Sequence, residues 1–440
     1  MYWHDSRQSA SRRWLLFLLI FCLLESRIAW PAQNAWIRQS VGLGAGSVYA
    51  LAIDPMTPNT LYAGTNLLLT SVAGLSAISD DGGVFKSTDA GVSWFATGLT
   101  KNSVSAFAIN TLAPTTLHAG IRGGVAKSMD AGAAWATVDL PSNPEVAALV
   151  IHPSAPSTIY AGTYRGGVFK SIDGGVKWVA SNAGLTNTDV RTLAIDPLAP
   201  NILYAGTSGG GVFKSTNDGT TWAAVNTGLT NMDARVLVIN PKSTDILYVG
   251  TGGGGVFKSM DGGVTWRSAN TGLPVTPTGK YNYVYSLAIN PTTPTTLYTG
   301  TNFDGVFKSV DGGLTWTNIG LTSNPVLALA INPAMPAIVY AGTSQGGVFR
   351  YEDACGLAAT ISDSDRIFNY LEARYPQYLA PAQAASATTA EYCYRYYLGT
   401  DAYIATSKGM VYYLGPASGN SIYLVGAQAD LLDAAKQLGF

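Results

Sequence analysis

Short apolar runs, six residues or fewer, recur along the chain, most of them running into a polar residue followed by proline. Val48–Ile53 runs into Asp54-Pro55, and equivalents follow at Val104–Ile109, Val146–Ile151, Val190–Ile195, Val236–Ile239, Val284–Ile289 and Val326–Ile331. These runs are too short for helices, rich in β-branched residues and bounded by Gly and Pro, so they predict strands. Each is followed by a second strand of the type Leu61-Tyr62-Ala63-Gly64-Thr65 and a third of the type Gly83-Val84-Phe85-Lys86-Ser87. The third strand runs into a turn with the pattern Ser-x-Asp/Asn-x-Gly-x-x-Trp, which starts at Ser87, Ser128, Ser171, Ser215, Ser259 and Ser309. Its tryptophans (Trp94, Trp135, Trp178, Trp222, Trp266, Trp316) stand 41, 43, 44, 44 and 50 residues apart. A repeat of that length marks a propeller or a solenoid.

The turn has a physical reading. Asp89, Asp130, Asp173, Asn217, Asp261 and Asp311 can accept from following N–H groups, and the glycine two residues later supplies a positive φ. The tryptophan then opens a fourth strand as an apolar anchor. These residues resemble the Asp-box, or bacterial neuraminidase repeat, of sialidases, sortilin-type receptors and several polysaccharide-cleaving enzymes. In those families the box is structural. The seventh unit ends at Tyr351-Glu352-Asp353 with no tryptophan behind it, while Trp36-Ile37-Arg38-Gln39-Ser40 is a fourth strand with no box before it. The expectation is an all-β, seven-bladed β-propeller over 35–353, closed by the N-terminal strand, which leaves the ring without an open edge. Unit two is the weakest copy, with His118 and Ala126 where other units carry Tyr and Phe.

From about Ser362 the repeat stops, and 11 of the 24 tyrosines fall in the last 80 residues. Helices are expected at Asp363–Tyr375 and Ala427–Leu438, and strands at Tyr392–Leu398, Tyr403–Ala405, Met410–Leu414 and Ile422–Val425, which makes 361–440 a small α+β domain. Its Arg-Tyr-Pro-Gln-Tyr and Tyr-Arg-Tyr-Tyr-Leu-Gly runs resemble a tyrosine-rich module recurring in exported bacterial proteins.

Residues 1–30 read as a signal peptide: Arg7, Arg12 and Arg13 precede an apolar core at Trp14–Leu24. Ser11-Arg12-Arg13-Trp14-Leu15-Leu16 resembles a twin-arginine signal, whereas so apolar a core suits the general secretory route. Ala29 or Ala32 would end the leader. The protein is thus expected in the periplasm or outside the cell, as a monomer with no transmembrane segment after processing. Of three cysteines, Cys355 and Cys393 stay in the mature chain, and export favours a disulfide between them. A net charge of −1 with 12% charged residues supplies no basic stripe for nucleic acid.

With four strands per blade, the box turns share one face with the Asp-Pro turns, and the strand 2–3 loops share the other with the blade-to-blade linkers. That second face carries the variation: an insertion at Asn66–Asp81 and a long linker, Pro274–Tyr283, containing Lys280, Tyr281 and Tyr283. An early position of the inner strand also differs by blade: Tyr49, Ser105, Ala147, Arg191, Arg235, Tyr285, Leu327. Arg191 and Arg235 each follow an Asp by two residues. They read either as a cationic, aromatic mouth for an anionic or sugar ligand, or as Asp–Arg pairs stitching neighbouring blades. The cation after Phe (Lys86, Lys127, Lys170, Lys214, Lys258, Lys308, Arg350) recurs in every blade and reads as structural.

A sialidase needs an arginine triad, a Tyr–Glu pair and an early Arg-Ile-Pro signature that is absent here. Glu145 and Glu352 are the only glutamates in the repeats, poor material for paired-carboxylate chemistry. Xyloglucan-cleaving relatives of the box work between two propellers, and seven-bladed photosystem II assembly factors also resemble the repeat. No histidine cluster, metal set or cofactor motif is written. The expectation is a non-catalytic binding scaffold for a glycan or protein ligand, with a glycosidase as the alternative. Tyr49, Arg191, Arg235, Lys280, Tyr281, Tyr283 and Tyr285 are the candidate ligand residues.

Overall fold

The computed structural model describes residues 35–353, apart from 45, 67–68, 73–74, 79–81, 277–278, 282 and 345–346. Of the C-terminal residues it describes Tyr392–Leu398, Asp401–Thr406, Met410–Pro416 and Tyr423–Ala427. The signal peptide, the helices expected at 363–375 and beyond 427, and the Cys355–Cys393 bridge lie outside the described residues. The four C-terminal strands pair in sequence as an antiparallel meander.

Seven four-stranded antiparallel sheets make up the propeller. Blade one is Val48–Ile53, Leu61–Thr65, Gly83–Ser87 and Phe95–Thr100, and the next five blades follow the same order. Blade five begins at Ala234, two residues earlier than its apolar run. Every second strand is buried along its whole length, as a strand covered on both faces must be. The core is accordingly divided. Seven apolar clusters lie between successive blades, the last joining blade seven to blade one through Val48, Trp94, Ile338 and Tyr340.

Blade seven is Val326–Ile331, Ile338–Thr343 and Gly347–Glu352, and its outer strand is Trp36–Arg38. The register is Trp36↔Tyr351, Ile37↔Arg350 and Arg38↔Phe349, so the ring closes through the N-terminal strand. Trp36 packs on Tyr351 with ring centroids 5.1 Å apart. Unlike most of the turn tryptophans it is only half-buried, and its indole N–H has no partner.

The repeated turn is a closed hydrogen-bond unit. In blade five the Ser259 hydroxyl donates to Asp261 at 2.8 Å and accepts from the Gly263 N–H at 2.9 Å, while Asp261 accepts from the Thr265 N–H at 2.8 Å. Both central residues have positive φ (66° at Gly262, 87° at Gly263), as in a type I′ turn. Trp266 then donates its indole N–H to the Val225 carbonyl of the preceding blade at 2.8 Å. Outer strands in blades three to six are only two residues long. In blades three, four and five an asparagine side chain takes over the ladder, Asn182, Asn226 and Asn270 each accepting from a third-strand N–H at 2.7 Å.

The recurrent Lys has a stated job. Together with the second-strand Tyr it donates to one carbonyl in the next blade's turn. Lys214 Nζ and the Tyr204 hydroxyl meet the Gly262 carbonyl at 2.8 and 2.9 Å, and Lys258 and Tyr248 meet that of Gly312 at 2.8 and 2.9 Å. Burial raises these phenols, Tyr248 to about 12, so they remain donors at any ordinary pH. Blade two departs from the pattern. His118 reaches the Gly174 carbonyl at 3.4 Å beside Lys127, with its Nδ1 buried and unpartnered.

Candidate functional site

The inner strands enter the ring at the face opposite the repeated turns, and all seven share one defect there. The register between inner and second strand slips at a single residue: Tyr49, Ser105, Ala147, Arg191, Arg235, Tyr285 and Leu327. A bulge leaves one residue out of the ladder and re-aims its side chain. These are the positions that vary most between repeats, so the scaffold offers seven free choices around one mouth.

Blades four, five and six use that freedom for charge and rings, and blade three adds Tyr164 from its strand 2–3 connection. Arg191 bonds Asp189 at 3.0 Å and lies 4.4 Å from the Tyr164 ring centroid. Arg235 bonds Asp233 at 2.8 Å and lies 4.6 Å from Tyr283 and 5.6 Å from Tyr285, whose rings stack at 6.1 Å. The Asp–Arg pairs are formed within a blade, two residues apart, and do not stitch neighbours; the bridging contact between blades is Arg on Tyr. Burial raises the Tyr164 hydroxyl above its ordinary pKa, opposed by Arg191 and reinforced by Glu145 and Tyr49. Burial likewise raises Tyr285, opposed by Arg235 and reinforced by Tyr283, Tyr49 and Asp233. Tyr49 from blade one is therefore within electrostatic reach of rings in blades three and six. It is also 42% exposed, as an open contact residue should be.

The backbone holds this arc in place. Asn187 accepts from the Asp189 N–H and donates to the Ser208 carbonyl, and Asn231 does the same for Asp233 and Gly252. Gly252 makes room for the second pair: a Cβ there would stand 2.0 Å from the Asp233 carboxylate and 2.8 Å from Arg235 Nε.

The sequence candidates separate into two groups. Tyr49, Arg191, Arg235, Tyr283 and Tyr285 share the mouth. Lys280 and Tyr281 belong to a small hairpin, closed by the Val275–Tyr281 bridge, in which Lys280 is exposed and Tyr281 packs on the core between blades five and six. The insertion in blade one emerges at the same face, where Asn66 pairs with Ser47, and contains a two-stranded ribbon, Leu69–Val72 with Leu75–Ile78. Sequence reasoning missed Tyr164, Asn187, Asn231 and Gly252. The available signal was the motif Thr-Asn-x-Asp-x-Arg, written at both Thr186 and Thr230.

No protein-family model matches the chain, and no curated protein matches it by sequence. Solved structures do. The GH74 xyloglucanase from Xanthomonas campestris superposes with a TM-score of 0.56 at 19% identity, over 72% of this chain and 53% of that one. The GH74 enzyme of Niastella koreensis gives 0.56 at 18%, over 89% and 62%. YCF48 bound to D1 peptide gives 0.54 at 13%, over 72% and 97%. The likeness is one of fold. The chain spans between half and two thirds of the GH74 structures, whereas YCF48 is matched over nearly its full length.

Proposed function

We propose that the protein is an exported, non-catalytic binding propeller whose mouth takes a glycan or a protein ligand. The observation that carries this reading is the shared bulge. It turns one residue per blade out of the ladder, and blades one, four, five and six place Tyr49, Arg191, Arg235 and Tyr285 there. Tyrosine rings give flat apolar contact area, and guanidinium groups give fixed, forked donors.

A glycosidase is the second reading, favoured by two carboxylates, Asp189 and Asp233, at one mouth. A general acid must hold a proton for the leaving group. Both carboxylates instead contact a guanidinium group of their own strand. Purified protein tested on a glycan array beside a glycosidase panel separates the readings. Saturable binding lost in Arg235→Ala, with no hydrolysis, is the expected result; turnover abolished by Asp233→Asn would establish the enzyme.

A further inference from the structure

Methionine is ordinarily a core residue that fills irregular gaps. Among the described residues, none of the buried apolar side chains is a methionine. The five methionines of the propeller are all on its surface: Met56 is 73% exposed, Met129 70%, Met260 69%, Met335 43% and Met232 39%. Met56 and Met335 lie in strand 1–2 turns, and Met129 and Met260 in the repeated turns, so four of the five stand on the turn face. Met232 stands at the mouth between Asn231 and Asp233, where its carbonyl accepts from the Gly209 and Gly211 N–H groups at 2.9 Å.

The repeat itself shows that none of these side chains is needed for packing. In other blades Thr88 and Thr216 hold the place of Met129 and Met260, and Ser154, Lys242 and Thr292 that of Met56. Thr57, Ser243 and Thr293 hold the place of Met335, and Thr188 that of Met232. Each position therefore accepts a hydroxyl or a charge without loss of the blade. A thioether takes one oxygen atom from hypochlorous acid or a peroxide. An S–O bond forms, the O–Cl or O–O bond breaks, sulfur gives up two electrons, and chloride with a proton, or water, leaves. In a packed core the polar sulfoxide would disrupt the fold; at these five positions it meets water. We propose that Met56, Met129, Met232, Met260 and Met335 are oxidation sites that consume such oxidants at the surface and spare the rings of the mouth. Tyr49 and Tyr283 are the exposed phenols there, open to chlorination by hypochlorous acid. Soft, polarisable sulfur is a better nucleophile than a phenol ring, so the methionines react first. This role goes beyond ligand binding and does not depend on it.

Titration of the full chain with hydrogen peroxide, read by peptide mass spectrometry, tests the first half. Met56, Met129 and Met260 are expected to gain one oxygen at least about two-fold faster than Met232 and Met335, following their exposure. With all five oxidised, the melting temperature should fall by less than about 3 °C. A methionine that gains oxygen only when the chain unfolds, or a larger fall in melting temperature, would overturn the assignment. Hypochlorous acid at one equivalent per propeller methionine tests the second half. Tyr49 and Tyr283 should be chlorinated at least about three-fold less in the wild type than in Met56→Leu/Met129→Leu/Met232→Leu/Met260→Leu/Met335→Leu. Wild type whose methionines have first been oxidised with peroxide should behave as that variant does, which gives the same reading without a substitution. Equal chlorination in treated and untreated wild type would overturn the protective role. A mouth that binds no ligand leaves all of these results untouched.

Discussion

The Tyr298 hydroxyl donates to the Asp353 carboxylate at 3.1 Å, where the equivalent tyrosines of blades one, three, four, five and seven donate to a main-chain carbonyl. Blade seven lacks the repeated turn, and Asp353 stands where the fourth residue of that turn stands elsewhere, its N–H bonded to the strand 1–2 turn as in the other blades. A side chain has replaced the missing carbonyl, and Lys308 becomes half of a buried ion pair.

Asp353→Ala therefore strands a largely buried ammonium group and a buried phenol, and should cost about 3–5 kcal/mol in urea unfolding. Lys308→Met with Asp353→Leu removes both charges and should recover most of that loss. Equal destabilisation by the single and the double variant would show that the pair is not the closing contact of blade six.

Blade two should make the protein acid-sensitive. Burial pushes His118 down from 6.5 to about 4, with the Gly174 hydrogen bond opposing and Lys127 adding to the fall. The unfolded chain thus takes up a proton before the folded one as pH drops. The stability that neutral His118 provides is complete above about pH 6.5, falls between there and about pH 4, and is flat below; the total is at most about 3 kcal/mol. His118→Tyr supplies the hydroxyl used in the other blades and should flatten that window of a melting-temperature profile. An unchanged slope would locate the acid sensitivity elsewhere.

At the mouth, Arg235→Ala removes a cation lying over two rings and should weaken binding of an array-selected ligand roughly ten-fold, with little change in melting temperature. Gly252→Ala should do comparable damage without touching a contact residue, because its Cβ displaces the Asp233 carboxylate. Full affinity in Gly252→Ala would mean that the Asp233–Arg235 geometry is irrelevant to recognition. Titration calorimetry reads both.

Trp36→Ala should cost about 2–3 kcal/mol, less than the 3–5 kcal/mol typical of a fully buried tryptophan, because the residue is only partly buried and its N–H bonds nothing. Trp266→Ala, which also loses the bond to Val225, should cost more. Denaturant midpoints of the two variants settle the order.

The architecture was legible because the copies agree: all seven repeat the apolar strand, six of them the Tyr-bearing strand, and six the Ser-to-Trp turn. Even the unmatched Trp36 indicated its partner, since one blade lacked a fourth strand. The two-residue outer strands were not legible, because the Asn182, Asn226 and Asn270 side chains do work that a sequence pattern assigns to backbone. At the mouth, variation picked out the bulged position in every blade, but a register slip leaves no trace in composition. Tyr164 was missed for another reason. It belongs to blade three's strand 2–3 connection and finds Arg191 only because neighbouring blades bring residues 27 positions apart into contact.

Closure of blade seven by Trp36–Arg38 also sets the order in which the molecule can be made. Ser40 and Val348 bond each other across 308 residues, so the seam forms only after nearly the whole propeller is available. Six blades can assemble from local hairpins as they emerge, whereas the seventh must wait for two distant pieces to meet, a slow, non-local event. Until then the third strand of blade seven has an unpaired edge, open to any extended chain nearby. Refolding should show a slow final phase, and its yield should fall as protein concentration rises.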